Sequence, residues 1–199
     1  MLRAVTQLCR GDPDLGRVVA RHGPPPLWAR RPGLATLVRI ILEQQVSLAS
    51  ARAAFMRLQA GIGPVSAARL SGLSPNRIAA CGITRQKAAF IHGLAVDVLA
   101  GDLQLRSLSE AEDPAARSAL LRARGIGPWT ADIYLIMALL RPDVWPDRDL
   151  ALLKSMKSIK GLPSDPSPDV GRRIAETWAP WRSVAARILW HDYLARKNR

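Results

Sequence analysis

Leu120-Leu121-Arg122-Ala123-Arg124-Gly125-Ile126-Gly127-Pro128-Trp129-Thr130-Ala131 is the stretch on which the reading of this chain turns. Upstream of it, Asp113-Pro114 sets an acceptor side chain before a proline at the first helical position, a helix start, and Leu120 and Leu121 lie near that helix's end. Gly125 and Gly127 then supply two residues free to take positive φ around one buried apolar side chain, Ile126. A second helix, Pro128 to Leu140, begins at once, with Ile133, Ile136, Met137 and Leu140 at helical spacing. Its first-turn N–H groups carry the positive end of the helix dipole, a ready anion site, and a nucleic-acid phosphate is the obvious anion. Arg141-Pro142 ends that helix. The chain passes through Trp145-Pro146-Asp147-Arg148-Asp149 into an amphipathic run, Leu150 to Ile159, with a carboxylate at its mouth.

Outward from this stretch the chain continues to read as helices. Asp12-Pro13 starts a short helix stopped by Gly23, and Pro24-Pro25-Pro26 is a stiff connector. Gly33 to Gln45 is the clearest core helix, because Leu34, Leu37, Val38, Ile41 and Leu42 follow an i, i+3, i+4, i+7, i+8 stripe. Gln44-Gln45-Val46-Ser47 interrupts that stripe, and Ser47 caps Leu48 to Leu58. Two adjacent amides at a helix junction fit solvated surface as well as function. Gly61-Ile62-Gly63-Pro64 repeats the later tetrapeptide without its Trp-Thr-Ala continuation and reads as a connecting turn. Ser74-Pro75 opens a helix closed by Gly82, and Thr84 caps Arg85 to Leu99, where Arg85 and Lys87 read as a solvated face in preference to a phosphate contact. Helices near Asp169 to Thr177 and Ser183 to Arg196 follow a proline-rich loop. No segment alternates with period two, so the expected class is all-α.

Composition narrows the partner. The 199 residues are 48% hydrophobic and 23% charged, ordinary for a globular chain, but carry a formal charge of +13 and a pI near 11.2, which favours a polyanion. Arginine outnumbers lysine 24 to 5; that suits bidentate phosphate contacts, and a GC-rich genome would give the same bias. With only Cys9 and Cys81, neither a disulfide framework nor a Cys-rich metal site can be built. No run has signal-peptide or transmembrane character, so a cytoplasmic monomer with no membrane partner is expected.

Gly125-Ile126-Gly127-Pro128-Trp129-Thr130-Ala131 with Asp149 twenty positions after Trp129 resembles the signature of the helix-hairpin-helix (HhH-GPD) DNA glycosylases, and within them the alkylation-repair branch typified by 3-methyladenine DNA glycosylase II. Gln44-Gln45-Val46-Ser47, Gly82-Ile83-Thr84-Arg85-Gln86-Lys87-Ala88 and Trp178-Ala179-Pro180-Trp181-Arg182-Ser183 extend the resemblance from about Leu37 to Trp190. It implies a single catalytic core over 1–199 with two helical lobes, 34–140 and 1–33 plus 145–199, and an active-site cleft between them. It also implies that the family's amino-terminal β-rich domain is missing, since too few residues precede Leu37.

What the resemblance implies for chemistry follows residue by residue. Asp149 is the catalytic acid, preferred to Asp147 and Asp143 because it stands directly before the Leu150 helix; its structural alternative is a helix cap. Trp129, Trp178 and Trp181 are base-pocket candidates, since N-alkylated purines are cationic and aromatic faces attract cations. Gln44, Gln45, Gly125, Gly127, Thr130 and Arg182 are DNA-binding candidates, with Gln45 at the position that enters the duplex. Where many relatives have a nucleophilic lysine this chain has Trp129, which cannot form an imine, so strand cleavage is not expected. No cofactor is required: an iron-sulfur cluster is excluded because no cysteine follows Cys81. The carbonyls of Leu121, Ala123 and Ile126 match those that hold a structural Na+ or K+. The expected function is excision of N-alkylated purines from double-stranded DNA; the alternatives are a non-catalytic DNA-binding module and a glycosylase for oxidised or mismatched bases.

Overall fold

The structure is a computed structural model that describes residues 1–197. Among the described residues the chain is all-α: α1 (Leu2–Gly11), α2 (Pro13–His22), α3 (Leu34–Glu43), α4 (Leu48–Ile62), α5 (Ala67–Ser71), α6 (Pro75–Ala79), α7 (Arg85–Ala100), α8 (Asp113–Arg122), α9 (Pro128–Met137), α10 (Leu150–Lys160), α11 (Pro168–Glu176) and α12 (Arg182–Lys197), with a 3-10 turn at Ser107–Ser109. Two compact units result. Arg30–Leu139 form the hairpin unit, and Met1–Ala29 with the residues from Leu140 onward form the terminal unit. None of the helices is long and apolar enough to cross a membrane.

In the hairpin unit the predicted stripe Leu34, Leu37, Val38, Ile41 and Leu42 is buried, and Ile40 with it, so α3 is apolar nearly all round and central to the core. Arg39 turns outward, its guanidinium 4.3 Å above the Phe55 ring. Hydroxyls set four helix starts, as Ser47, Ser66, Ser74 and Thr84 accept from the amides of Ser50, Arg69, Arg77 and Lys87. Helix α4 runs past the predicted Leu58 to Ile62, and near its end Gly61 lies against Cys81, whose sulfur would sit 2.8 Å from an added Cβ. Gly63 closes it at φ 75°, so the first Gly-Ile-Gly-Pro is a helix end and not a second hairpin. Helix α8 starts at Asp113 with Glu112 in the cap position, one residue before the expected acceptor. Helix α9 stops short of the predicted Leu140: the Ala138 and Leu139 amides both fold back to the Tyr134 carbonyl, and Leu140 turns left-handed at φ 55°.

The terminal unit is tied by one carboxylate. Asp12 caps α2 through Oδ1, which accepts from the amides of Asp14 and Leu15. Lys160, at the end of α10, reaches both its oxygens at 2.7 and 2.6 Å, and the Trp178 indole donates to Oδ2 at 2.8 Å. Burial alone would raise the Asp12 pKa, but the hydrogen bonds from Lys160 and Trp178 outweigh it and hold the carboxyl below its usual range.

Asp12→Asn should therefore cost about 2 kcal/mol, below the roughly 3–5 kcal/mol of a broken buried pair because Asp14 also meets Lys160 at 2.8 Å. The melting temperature should fall by roughly 4–8 °C for a chain of this size. A carboxyl whose folded pKa is depressed stabilises above its unfolded value, about pH 4, and that contribution is lost as the pH falls through the lower folded value. Urea unfolding at pH 7 and pH 3 should thus show the variant's deficit shrinking in acid.

Candidate functional site

Helices α8 and α9 are joined through Ala123 to Gly127. Gly125 has φ 88°, and an added Cβ would stand 2.4 Å from Cγ and 2.5 Å from Cβ of Phe90 on α7, so conformation and space both demand glycine. Ile126 is buried between the two glycines, and its amide donates to the Ala123 carbonyl at 3.2 Å. Gly127 departs from expectation: its φ is −87° and the space around it is open, so the backbone does not require glycine there. As the residue before α9, Gly127 brings no side chain over the first-turn amides, and the positive end of the helix is left open to a close-approaching anion. Trp129, half-buried, stands in that turn.

The Gln44 loop is fastened to this hairpin. The Gln44 amide nitrogen donates to Thr130 Oγ1 at 2.8 Å and to the Gly125 carbonyl at 3.2 Å. Thr130 is 1% exposed. Gln44 and the Thr130 hydroxyl, expected at DNA, thus hold each other instead, and what they fix is the geometry of loop and hairpin. Gln45 is exposed and left-handed at φ 58°, a conformation that costs a non-glycine residue of order 1 kcal/mol or more and persists only where the surroundings impose it. Lys87 is no solvated face: its ammonium turns back to the carbonyls of Leu42 and Gln44.

In the terminal unit Asp149 is 8% exposed at the start of α10, and both the Ala151 and the Leu152 amides, each at 3.0 Å, bond to its Oδ1. It is a helix cap, and the cap fixes a carboxylate at the positive end of a helix dipole. The residue before it, Arg148, is left-handed at φ 63°. The rival carboxylates are differently occupied. Asp143 receives the fork of Arg182, with Nε and an Nη both at 2.8 Å, and these bonds hold its carboxyl below the usual range. Asp147 pairs with Arg172 at 3.0 Å on the surface. Arg182, expected at DNA, has its guanidinium on Asp143 instead, a bidentate geometry that orders the start of α12.

The three tryptophans separate. Trp178 is 2% exposed with its indole N–H on Asp12, a core residue with no face to offer a base. Trp181 is half-buried, its indole donating to Gln7 at 2.7 Å. Trp145, which sequence alone did not single out, is half-buried against Trp178 with ring centroids 5.7 Å apart. Its signal was present, as an aromatic four residues before Asp149.

Residues 38–180 match the HhH-GPD superfamily of base excision DNA repair proteins. The chain belongs to that superfamily. Among HhH-GPD relatives, a DNA-3-methyladenine glycosylase of Bacillus subtilis is 32% identical over 122 residues, covering 61% of this chain and 40% of that protein. DNA-3-methyladenine glycosylase 1 of Schizosaccharomyces pombe is 25% identical over 181 residues, covering 88% of this chain and 79% of its own length. The solved structure of the Schizosaccharomyces pombe 3-methyladenine DNA glycosylase in complex with abasic DNA superposes with a TM-score of 0.87 at 25% identity, over 94% of this chain and 95% of that one. The chain spans 40% and 39% of the lengths of the first two curated HhH-GPD relatives that it matches.

The superfamily assignment directs attention to the hairpin glycines, which the structure makes unequal. Gly125→Ala should destabilise the hairpin unit by about 2 kcal/mol or more, from the left-handed φ and the clash with Phe90. Gly127→Ala should leave stability within about 0.5 kcal/mol. Denaturant unfolding of the two variants, side by side, checks the asymmetry; equal losses would contradict it.

Proposed function

We propose that this HhH-GPD protein is a monofunctional DNA glycosylase that excises N-alkylated purines, of the 3-methyladenine and 7-methylguanine type, from double-stranded DNA by hydrolysing the N-glycosidic bond. The observation that carries the reading is Asp149, a nearly buried carboxylate fixed by two amides at the mouth of α10. The names of the relatives, DNA-3-methyladenine glycosylases, support the substrate class. A basic surface supports the partner: residues 44–96 contain no Asp or Glu, and Arg52, Arg57, Arg69, Arg77 and Arg85 along them are all exposed.

In this reading the first-turn amides of α9 take a backbone phosphate, and Gln45 enters the duplex where the damaged nucleotide leaves the stack, at an unstacking cost of a few kcal/mol. The flipped purine is already cationic, so the C1′–N bond breaks with its electron pair going to a base that leaves neutral, with no proton delivered to it. The Asp149 carboxylate stabilises the oxocarbenium-like sugar, and water adds at C1′, losing a proton to solvent or to the same carboxylate. Trp129 offers an aromatic face to the cation, an attraction of about 0.5–2 kcal/mol. The carbonyls of Leu121, Ala123 and Ile126 are the hard oxygen donors that a Na+ or K+ takes. The Ala123 oxygen, which already accepts the Ile126 amide, keeps a second lone pair for it. Such an ion would add positive charge beside the phosphate site.

Trp129 carries no amine, and three of the five lysines are engaged elsewhere, Lys87 with carbonyls, Lys157 with Asp165 and Lys160 with Asp12. Base loss should leave an intact abasic strand.

Asp149→Asn should lower single-turnover excision of an alkylated purine by roughly 10²–10⁴-fold while DNA affinity holds or rises. Excision at the wild-type rate by the folded variant would remove Asp149 from the chemistry. Borohydride added during turnover should trap no protein–DNA adduct, and the product strand should break only in alkali; a trapped adduct abolished by changing one lysine would make the enzyme bifunctional.

A further inference from the structure

Lys87 lies in the first turn of α7, at the positive end of its own helix, where a cation is unfavourable. Its side chain is nonetheless half-buried, and Nζ donates to the carbonyl oxygens of Leu42 at 2.9 Å and Gln44 at 2.7 Å. These are acceptors at the C-terminal end of α3, which the helix itself leaves without partners. Among the described residues the ammonium meets no carboxylate, and its neighbourhood in sequence, residues 44–96, holds none. Burial pushes the Lys87 pKa down, the mark of a charge that the core would rather not hold. An apolar side chain of the same length would fill the space without that desolvation cost, so packing does not account for a lysine here.

The next peptide does account for it. The Gln44 carbonyl shares a rigid plane with the Gln45 nitrogen, so fixing that oxygen fixes the plane from which the Gln45 φ is measured. The other side of Gln44 is fixed as well, by its side-chain amide on Gly125 and Thr130. Between the two restraints Gln45 is held left-handed at φ 58°, and both it and Val46, 48% exposed, stand clear of the unit. Two pins on one residue are the over-determination that a strained backbone requires.

We propose that Lys87 is a positioning residue, whose clamp on the α3 carbonyls holds the Gln45 loop in the strained conformation that presents it to the duplex. The part of this concerning DNA rests on the glycosylase reading above; the clamp itself does not. Lys87 touches neither base nor sugar in this role. It acts through Gln44, and its contribution belongs to the opening of a base pair and not to bond cleavage.

Lys87→Met keeps the stem and removes the ammonium, and Lys87→Arg keeps the charge. Hydrogen exchange on the free protein should show amides of residues 43–48 exchanging about tenfold faster in Lys87→Met, with α9 unchanged and with Lys87→Arg closer to wild type. Single-turnover excision of an alkylated purine paired with its normal partner should fall about tenfold or more in Lys87→Met. The same lesion opposite an abasic analogue, which leaves no pair to open, should lose at most about threefold. Unchanged exchange in 43–48, or equal losses on the two substrates, would overturn the proposal. If wild-type protein excised neither substrate, the glycosylase reading would fail, and the exchange experiment would still decide whether Lys87 fixes the loop.

Discussion

At Gly125 the main chain passes so close to Phe90 that no side chain fits, and it does so at φ 88°. That approach lets α8 turn into α9 within five residues, and it aims the Gly125 carbonyl at Gln44. The rest of the hairpin unit's surface chemistry follows from it. The start of α9, the buried Thr130 and the loop that carries Gln45 are one hydrogen-bonded assembly, so the first-turn amides of α9 and the exposed loop cannot move independently. A polar network of this kind is stabilising only when each member is satisfied. Here the Gln44 amide has both acceptors and the Gln44 carbonyl has Lys87.

The terminal unit holds several carboxylates, each fixed in a different way. Three acids lie within seven residues, and arginines neutralise two of them, Arg182 on Asp143 and Arg172 on Asp147. Asp149 is oriented by main-chain amides, two of which donate to one of its oxygens. Asp12 shows the contrast: its two oxygens are closed off by Lys160 and the Trp178 indole, and its work is structural.

Much of this was legible in the sequence. Helix periodicity and hydroxyl caps gave the helical class and most helix starts, because those signals are local. The hairpin and its distance to Asp149 gave the family. Several of the site candidates have partners far away in the sequence. Thr130 and Gln44 face each other, Arg182 faces Asp143, and Trp178 faces Asp12. These pairings join residues between 39 and 166 positions apart, and no local pattern announces them. Lys87 is the converse case, a residue of unremarked surface type whose partners, 43 and 45 positions back, are carbonyls that every sequence has. The short α1 and α5 were missed because neither carries a distinctive cap and stripe together.

The central claim is that the protein breaks a glycosidic bond in DNA, and does not merely bind DNA through a hairpin. Purified wild-type protein mixed with methylated duplex DNA, followed by mass analysis of the small-molecule fraction, measures this most directly. The account predicts free 3-methyladenine or 7-methylguanine in that fraction, with the DNA strands unbroken until alkali is added. Tight, salt-sensitive binding of the same DNA with no free purine released would contradict it.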